Sequence, residues 1–154
     1  MTTREAIDDF LTQERLAVVG VSRNPEDFSR GLFRELRRRG YDVVPVNLHA
    51  TEVDGQPCFA HVRDIVPPVD GALLMTAPEA TNQVVRECAE AGVRRVWMHR
   101  GGGVGAVSRE AVDFCNEKGM EVVPGYCPYM FLPRTAFFHR LHGFAKRLTG
   151  TYPS

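Results

Sequence analysis

The chain has 154 residues, enough for one domain built on one core. Apolar residues make up 44% and charged residues 25%, and 19 Lys and Arg are balanced by 19 Asp and Glu. A formal net charge of zero argues against a general nucleic-acid or membrane-surface binder, and no apolar run approaches the ~20 residues of a membrane-spanning helix. The segment Met1–Glu5 lacks the apolar centre of a signal peptide, so a cytoplasmic location is expected. The cysteines at 58, 88, 115 and 127 form no C-x-x-C pair and no Cys/His grouping, which predicts reduced thiols and no metal site.

The pattern along the chain alternates strands and helices. A short helix is predicted over Thr3–Leu11, with Thr3 as cap and Ile7, Phe10 and Leu11 on one face. Leu16–Val21 is a strand whose continuous apolar character implies burial on both faces. A helix over Ser29–Arg39 follows, with Ser29 at its start, Leu32, Phe33 and Leu36 inward and Gly40 closing it. Tyr41–Val46 is the second strand.

Leu48–Pro68 reads as loops with a helical turn near His61–Asp64, because Gly55, Pro57, Pro67 and Pro68 interrupt it. Strand Val69–Met75, helix Glu79–Ala91, strand Val93–Met98, a glycine-rich turn at 101–105, helix Arg109–Lys118 and strand Met120–Val123 complete the series. Cys88 and Cys115 fall on inward helical positions and read as packing residues. Thr135–Leu148 predicts a C-terminal helix with an apolar face (Phe137, Phe138, Leu141, Phe144, Ala145, Leu148) and a basic one. Packing on the domain or on a second copy of the chain suits it better than a membrane surface. The alternation implies an α/β fold: a doubly wound parallel sheet of about five strands, covered by helices on both faces.

In such a sheet the turns after the strands share the carboxyl edge, where ligands bind. The first turn, Gly20-Val21-Ser22-Arg23, leads into the helix that starts near Ser29 and points to a phosphate: backbone N–H groups and the positive helix end face one spot. Ser22 and Ser29 offer hydroxyls there, and Arg23 or Arg30 offers charge. The spacing is not G-x-G-x-x-G, so an ordinary strand-to-helix turn with a capping serine fits about as well. Strand two ends Val46-Asn47, without the Asp or Glu that grips an NAD ribose. Thr76-Ala77-Pro78 and Met98-His99-Arg100 follow strands three and four and should face the same crevice, which favours a ligand. His99 could act as a base, although no neighbouring carboxylate orients it. Cys127, in Gly125-Tyr126-Cys127-Pro128, lies at the same edge and reads first as a small apolar filler, otherwise as a thiol that meets a ligand thiol or thioester. His49 and His61 read as surface residues.

Together, Val18-Val19-Gly20-Val21-Ser22, Gly40-Tyr41-Asp42-Val43-Val44-Pro45-Val46-Asn47, Val96-Trp97-Met98-His99 and Gly125-Tyr126-Cys127-Pro128 resemble the small bacterial CoA-binding proteins, stand-alone relatives of the CoA-binding domain of the succinyl-CoA synthetase alpha subunit. The resemblance spans about Leu16–Leu132 and implies a Rossmann-like fold with coenzyme A at the carboxyl edge. By position it implies that Gly20, Val21, Ser22 and Arg23 hold the phosphates with help from Ser29, and that Val46 and Asn47 lie along the nucleotide. Thr76, Ala77, Pro78, Met98, His99 and Arg100 would form the remaining wall. CoA carries a 3′-phosphate, which a carboxylate in place of Asn47 would repel. Two departures weaken the expected phosphate site: Asp27 stands where many relatives have Arg, and Met75-Thr76 where many have Phe-Arg. Arg23, Arg30 or Arg100 would have to compensate.

The expected function is therefore a non-catalytic or regulatory module that binds CoA or an acyl-CoA. An NAD(P)-binding redox sensor and a small enzyme acting on CoA thioesters through His99 or Cys127 are the alternatives. The expected partner is a small molecule rather than nucleic acid or membrane, with a homodimer compatible with the C-terminal face. A branched side chain at position 20 should block a diphosphate while sparing the fold.

Overall fold

A computed structural model of the chain describes residues 2–101, 103 and 105–132. The predicted C-terminal helix lies outside the described residues. Helix α1 (Thr3–Leu11) is capped by Thr2 rather than Thr3: the Thr2 hydroxyl accepts from Glu5 N–H, and the Glu5 carboxylate accepts from Thr2 N–H. Strand β1 (Arg15–Val19) leads to α2 (Phe28–Arg38) and β2 (Asp42–Val46). Strands β3 (Glu52–Val53) and β4 (Gln56–Pro57) then form a small antiparallel hairpin where loops were expected. Its turn, Asp54-Gly55, has positive φ at both residues (49° and 77°), the geometry that an Asp-Gly pair favours. A 3₁₀ turn at Val62–Asp64 matches the expected helical turn. The chain continues through β5 (Gly71–Leu74), α3 (Pro78–Glu90), β6 (Arg95–Met98), α4 (Arg109–Glu117), β7 (Glu121–Pro124) and a 3₁₀ turn at Pro128–Met130.

The main sheet has five parallel strands in the order β2-β1-β5-β6-β7. Side chains alternate along β1: Ala17 and Val19 enter the core under α3 and α4, whereas Leu16 and Val18 enter the core under α1 and α2. All four are buried, so the continuous apolar run reflects a strand covered on both faces. Trp97 of β6 fills the α1 side and donates from Nε1 to the Tyr126 carbonyl at 3.1 Å. Cys88 and Cys115 pack on the other side, where burial pushes the Cys115 thiol up to about 11 and Cys88 higher still. All four cysteines are free. Among the described residues, no helix is long and apolar enough to cross a membrane.

This topology fixes where a ligand can sit. From β1 the chain steps outward to β2, then returns to place β5 on the other side of β1. The direction of winding reverses there, and the two loops leaving β1 and β5 separate to open a crevice. Val19 lies in register between Val46 and Leu74, so Gly20 leaves the sheet between Asn47 and Met75.

Candidate functional site

Gly20 is at the floor of that crevice. Its φ is +92°, and a Cβ placed on it would lie 2.6 Å from the Met75 carbonyl oxygen. The close neighbour is protein backbone, so the fold itself requires glycine here, and a side chain would strain the strand ends before it met any ligand. The Gly20 N–H donates to the Val46 carbonyl at 2.9 Å.

The turn beyond Gly20 satisfies most of its own donors. The residue that caps α2 is Asp27, not Ser29. The Asp27 carboxylate accepts from Ser29 N–H at 3.0 Å and from the Ser29 hydroxyl at 2.6 Å. These bonds, the hydroxyl's first, hold the Asp27 carboxyl below the usual range. Ser29 Oγ in turn accepts from Ser22 N–H at 2.8 Å, and Ser22 Oγ accepts from Asn24 N–H at 3.0 Å. Arg30 and Gly31 N–H donate to the Asp27 carbonyl. Among the described residues, the N–H groups of Val21, Arg23 and Phe28 are left without an acceptor. The predicted amide cradle is thus largely occupied by its own serines and one carboxylate.

The arginines of the turn separate into two roles. Arg30 is buried and pairs with Asp54 at the hairpin tip, and its Nη1 reaches the carbonyls of Ser22 (3.3 Å) and Arg23 (3.2 Å). It braces the loop from behind. Arg34 adds a second bond to Asp54 at 2.7 Å; led by that bond, these arginines lower the Asp54 carboxyl to about 2. Arg23 is exposed and forms no ion pair among the described residues, so it is the cation the turn has to spare.

Asn47 has a similar structural duty. Its Nδ2 donates to the Val21 carbonyl at 2.7 Å, and its Oδ1 accepts from His49 N–H at 2.7 Å. A carboxylate could not make the first bond, which gives a local reason for Asn here. Val46 and Val21 are buried at the crevice base, and Met98 lies wholly in the core beneath the edge. Thr76 Oγ1 is bonded to Thr81 Oγ1 at 2.7 Å; Ala77 precedes α3, and Pro78 is its first residue.

Two cavities meet at Gly20 and Thr76. The first, about 400 Å³, runs between the end of β2 and α3. Its walls include Val46, Leu48, Ala80 and Val84, and the buried Glu87 faces it. His61 Nδ1 is 3.2 Å from the Glu87 carboxylate. His61 is thus a half-buried partner of a buried acid rather than the surface residue the sequence led us to expect, whereas His49 is exposed at the mouth. Glu87 lies on the α3 face that also carries Val84 and Cys88, and that helical spacing is the signal that places it inside.

The second cavity, about 300 Å³, lies between the start of α2 and the turns after β5 and β6. His99 lines it, and its Nε2 is buried with no hydrogen-bond partner among the described residues. Phe28 covers the imidazole with ring centroids 5.4 Å apart. Burial holds the His99 pKa below its ordinary value, so the ring is neutral at neutral pH and can donate or accept one hydrogen bond there. Arg100 is exposed beside it, and Cys127 is half-buried just before the 128–130 turn. Among the described residues, no group of three His, Cys, Asp or Glu side chains comes together as a metal site.

A crevice at the winding reversal of a parallel sheet, with a glycine floor and two adjoining cavities, is the arrangement of a Rossmann-like α/β fold. The sequence profile of the CoA binding domain matches residues 14–133, and the chain belongs to that family. The alpha subunit of an ADP-forming acetate–CoA ligase II from Pyrococcus furiosus is 28% identical over 129 residues, covering 79% of this chain and 28% of the subunit. The chain therefore spans only about a quarter of that relative. An uncharacterized protein of Bacillus subtilis, YneT, is 28% identical over 114 residues, covering 74% of this chain and 82% of its own. A solved structure of a hypothetical protein from Pyrococcus horikoshii superposes with a TM-score of 0.79 at 29% identity, covering 88% of this chain and 92% of that one.

Proposed function

We propose that the chain binds coenzyme A or an acyl-CoA along this edge as a binding module. The adenylate half occupies the 400 Å³ cavity, whose apolar walls suit a flat heteroaromatic base. The diphosphate crosses the seam at Gly20 and Thr76, near Arg23 and the unused N–H groups of Val21 and Phe28. The pantetheine arm continues past His99, whose orphaned Nε2 would gain a polar partner. The observation that carries the reading is the meeting of two cavities at the winding reversal, in a member of the CoA binding domain family. A binding role is favoured over catalysis because neither His99 nor Cys127 has a hydrogen-bonded acid or base beside its reactive atom among the described residues. Free thiols and the absence of a spanning helix among the described residues fit a cytoplasmic location for such a module.

Thermal unfolding with and without ligand tests this directly. CoA should raise the midpoint in a concentration-dependent manner, with NAD and NADP leaving it unchanged. A rise with NAD and none with CoA would replace this reading with the dinucleotide one.

A further inference from the structure

A third cavity, about 370 Å³, lies beyond His99 on the side away from the base pocket. Arg100 and Gly101 form one wall; Pro124, Gly125, Tyr126 and Met130 form the rest. Resting on the CoA reading above, we propose that it is an acyl subsite, and that it selects acyl-CoA thioesters whose acyl chain ends in a carboxylate.

The cavity is built by a strained residue. Tyr126 has a φ of +69°, a left-handed conformation that a bulky residue adopts only when its surroundings impose it. What imposes it is its carbonyl, which accepts from both Arg100 N–H and Trp97 Nε1–H at 3.1 Å. The outcome is a ring held at the cavity rim, 48% exposed, with Met130 beside it at 68%. Pro124, Tyr126 and Met130 give methylene groups apolar surface to lie against.

Arg100 supplies the selective group. Its stem runs past Gly125, and its Nε donates to the Gly103 carbonyl at 2.8 Å. One edge of the guanidinium is thereby fixed, while the Nη groups have no hydrogen-bond or ion-pair partner among the described residues. Residues 122–154 of the sequence contain no Asp or Glu. A planar cation held on one side and open on the other is matched to a carboxylate, which takes two parallel hydrogen bonds. The CoA diphosphate is accounted for at the Gly20 seam, on the other side of His99.

The test compares CoA, pentanoyl-CoA and glutaryl-CoA by calorimetry; the two thioesters have equal chain length and differ in the terminal carboxylate. The wild-type chain should bind glutaryl-CoA about tenfold more tightly than pentanoyl-CoA. Arg100→Met should bring that ratio to about one, and Arg100→Lys should leave a partial preference because charge remains and the fork is lost. Tyr126→Ala should weaken both thioesters relative to CoA. Equal affinities in the wild-type chain would overturn the proposal. So would an Arg100→Met variant that weakens all three ligands alike with the ratio preserved, because Arg100 would then be serving the diphosphate. Binding of CoA without discrimination sinks only this proposal, whereas failure of all three ligands to bind sinks the CoA reading and this proposal with it.

Discussion

The two ends of the Gly20 crevice handle their polar groups in opposite ways. At the α2 end, donors are plentiful and most are used by the protein: Ser29, Ser22 and the Asp27 carboxylate close a hydrogen-bonded ring around the start of the helix. At the α3 end, donors are few, the walls are apolar, and one acid, Glu87, is buried with His61 as its partner. The first end is stable without a ligand and keeps for an arriving anion only Arg23 and the N–H groups of Val21, Arg23 and Phe28, with the Asp27 carboxylate close by. The second end is open and loses little on filling. The contrast teaches that a helix start is an anion site only to the extent that its donors are free, and that volume and donor supply need not coincide in one cavity.

The boundary between the two ends is the most sensitive point. Gly20→Ala would put a Cβ 2.6 Å from the Met75 carbonyl oxygen at a positive φ. Left-handed strain of about 1–2 kcal/mol and overpacking of about 1–3 kcal/mol should together remove roughly 2–5 kcal/mol of stability. Chemical denaturation would read this, and CoA binding should be lost with it. An alanine variant of wild-type stability that fails to bind CoA would mean that the glycine serves the ligand rather than the strand ends, as the sequence alone implied.

The α3 end is probed by His61→Ala. Glu87 would keep its buried position and lose its hydrogen-bond partner, at an expected cost of about 1–3 kcal/mol. Glu87→Gln should cost less, because an amide tolerates the same surroundings without a charge to pair. If both variants are neutral in denaturation, the pair contributes nothing to the base cavity's architecture.

Much of this arrangement is legible in the sequence, for identifiable reasons. Parallel strands buried on both faces leave continuous apolar runs, so Leu16–Val19 and Val96–Met98 stand out, and the carboxyl edge follows from topology alone. Ser108 announces α4 because its hydroxyl accepts from Ala111 N–H, the bond that caps a helix start. The hairpin was also legible, through Asp54-Gly55, but proline-rich surroundings made it read as loop. Side-chain duties were the harder part. Asp27 and Ser29 are both good caps two residues apart, and only geometry shows which one caps α2 and which supports Ser22. Arg30 looks like a phosphate ligand until Asp54, distant in sequence, is seen to hold it. His61 and Glu87 meet across 26 residues, a pairing that no local pattern encodes.

The α2 end can be loosened without dismantling it. Asp27→Asn keeps an oxygen that can accept from Ser29 N–H and removes the negative charge beside the proposed diphosphate path. A charge at a helix start is worth about 0.3–1 kcal/mol, so CoA should bind about two- to fivefold more tightly. Isothermal calorimetry resolves such a change. Weaker binding in this variant would show that the carboxylate assists the ligand, and the contrast between the two ends would lose its basis.

A last effect concerns the brace behind that turn. The Arg34 and Arg30 bonds lower the Asp54 carboxyl from its ordinary 3.8 to about 2 on folding. A depressed pKa contributes stability that is fully present above the unfolded value and is lost as pH falls through the folded one. The hairpin-to-α2 clamp should therefore hold at neutral pH and weaken from about pH 4 down to about pH 2, by about 1 kcal/mol once solvent screening at a partly exposed pair is allowed for. Asp54→Asn should flatten that part of the stability profile. Because Arg30 also holds the Ser22 and Arg23 carbonyls, the same variant should lower CoA affinity slightly while leaving the base cavity intact. A pH profile identical in wild type and Asp54→Asn would mean that the Gly20–Arg23 turn keeps its shape without the hairpin, and that its self-sufficiency extends to the loop's backing as well as its donors.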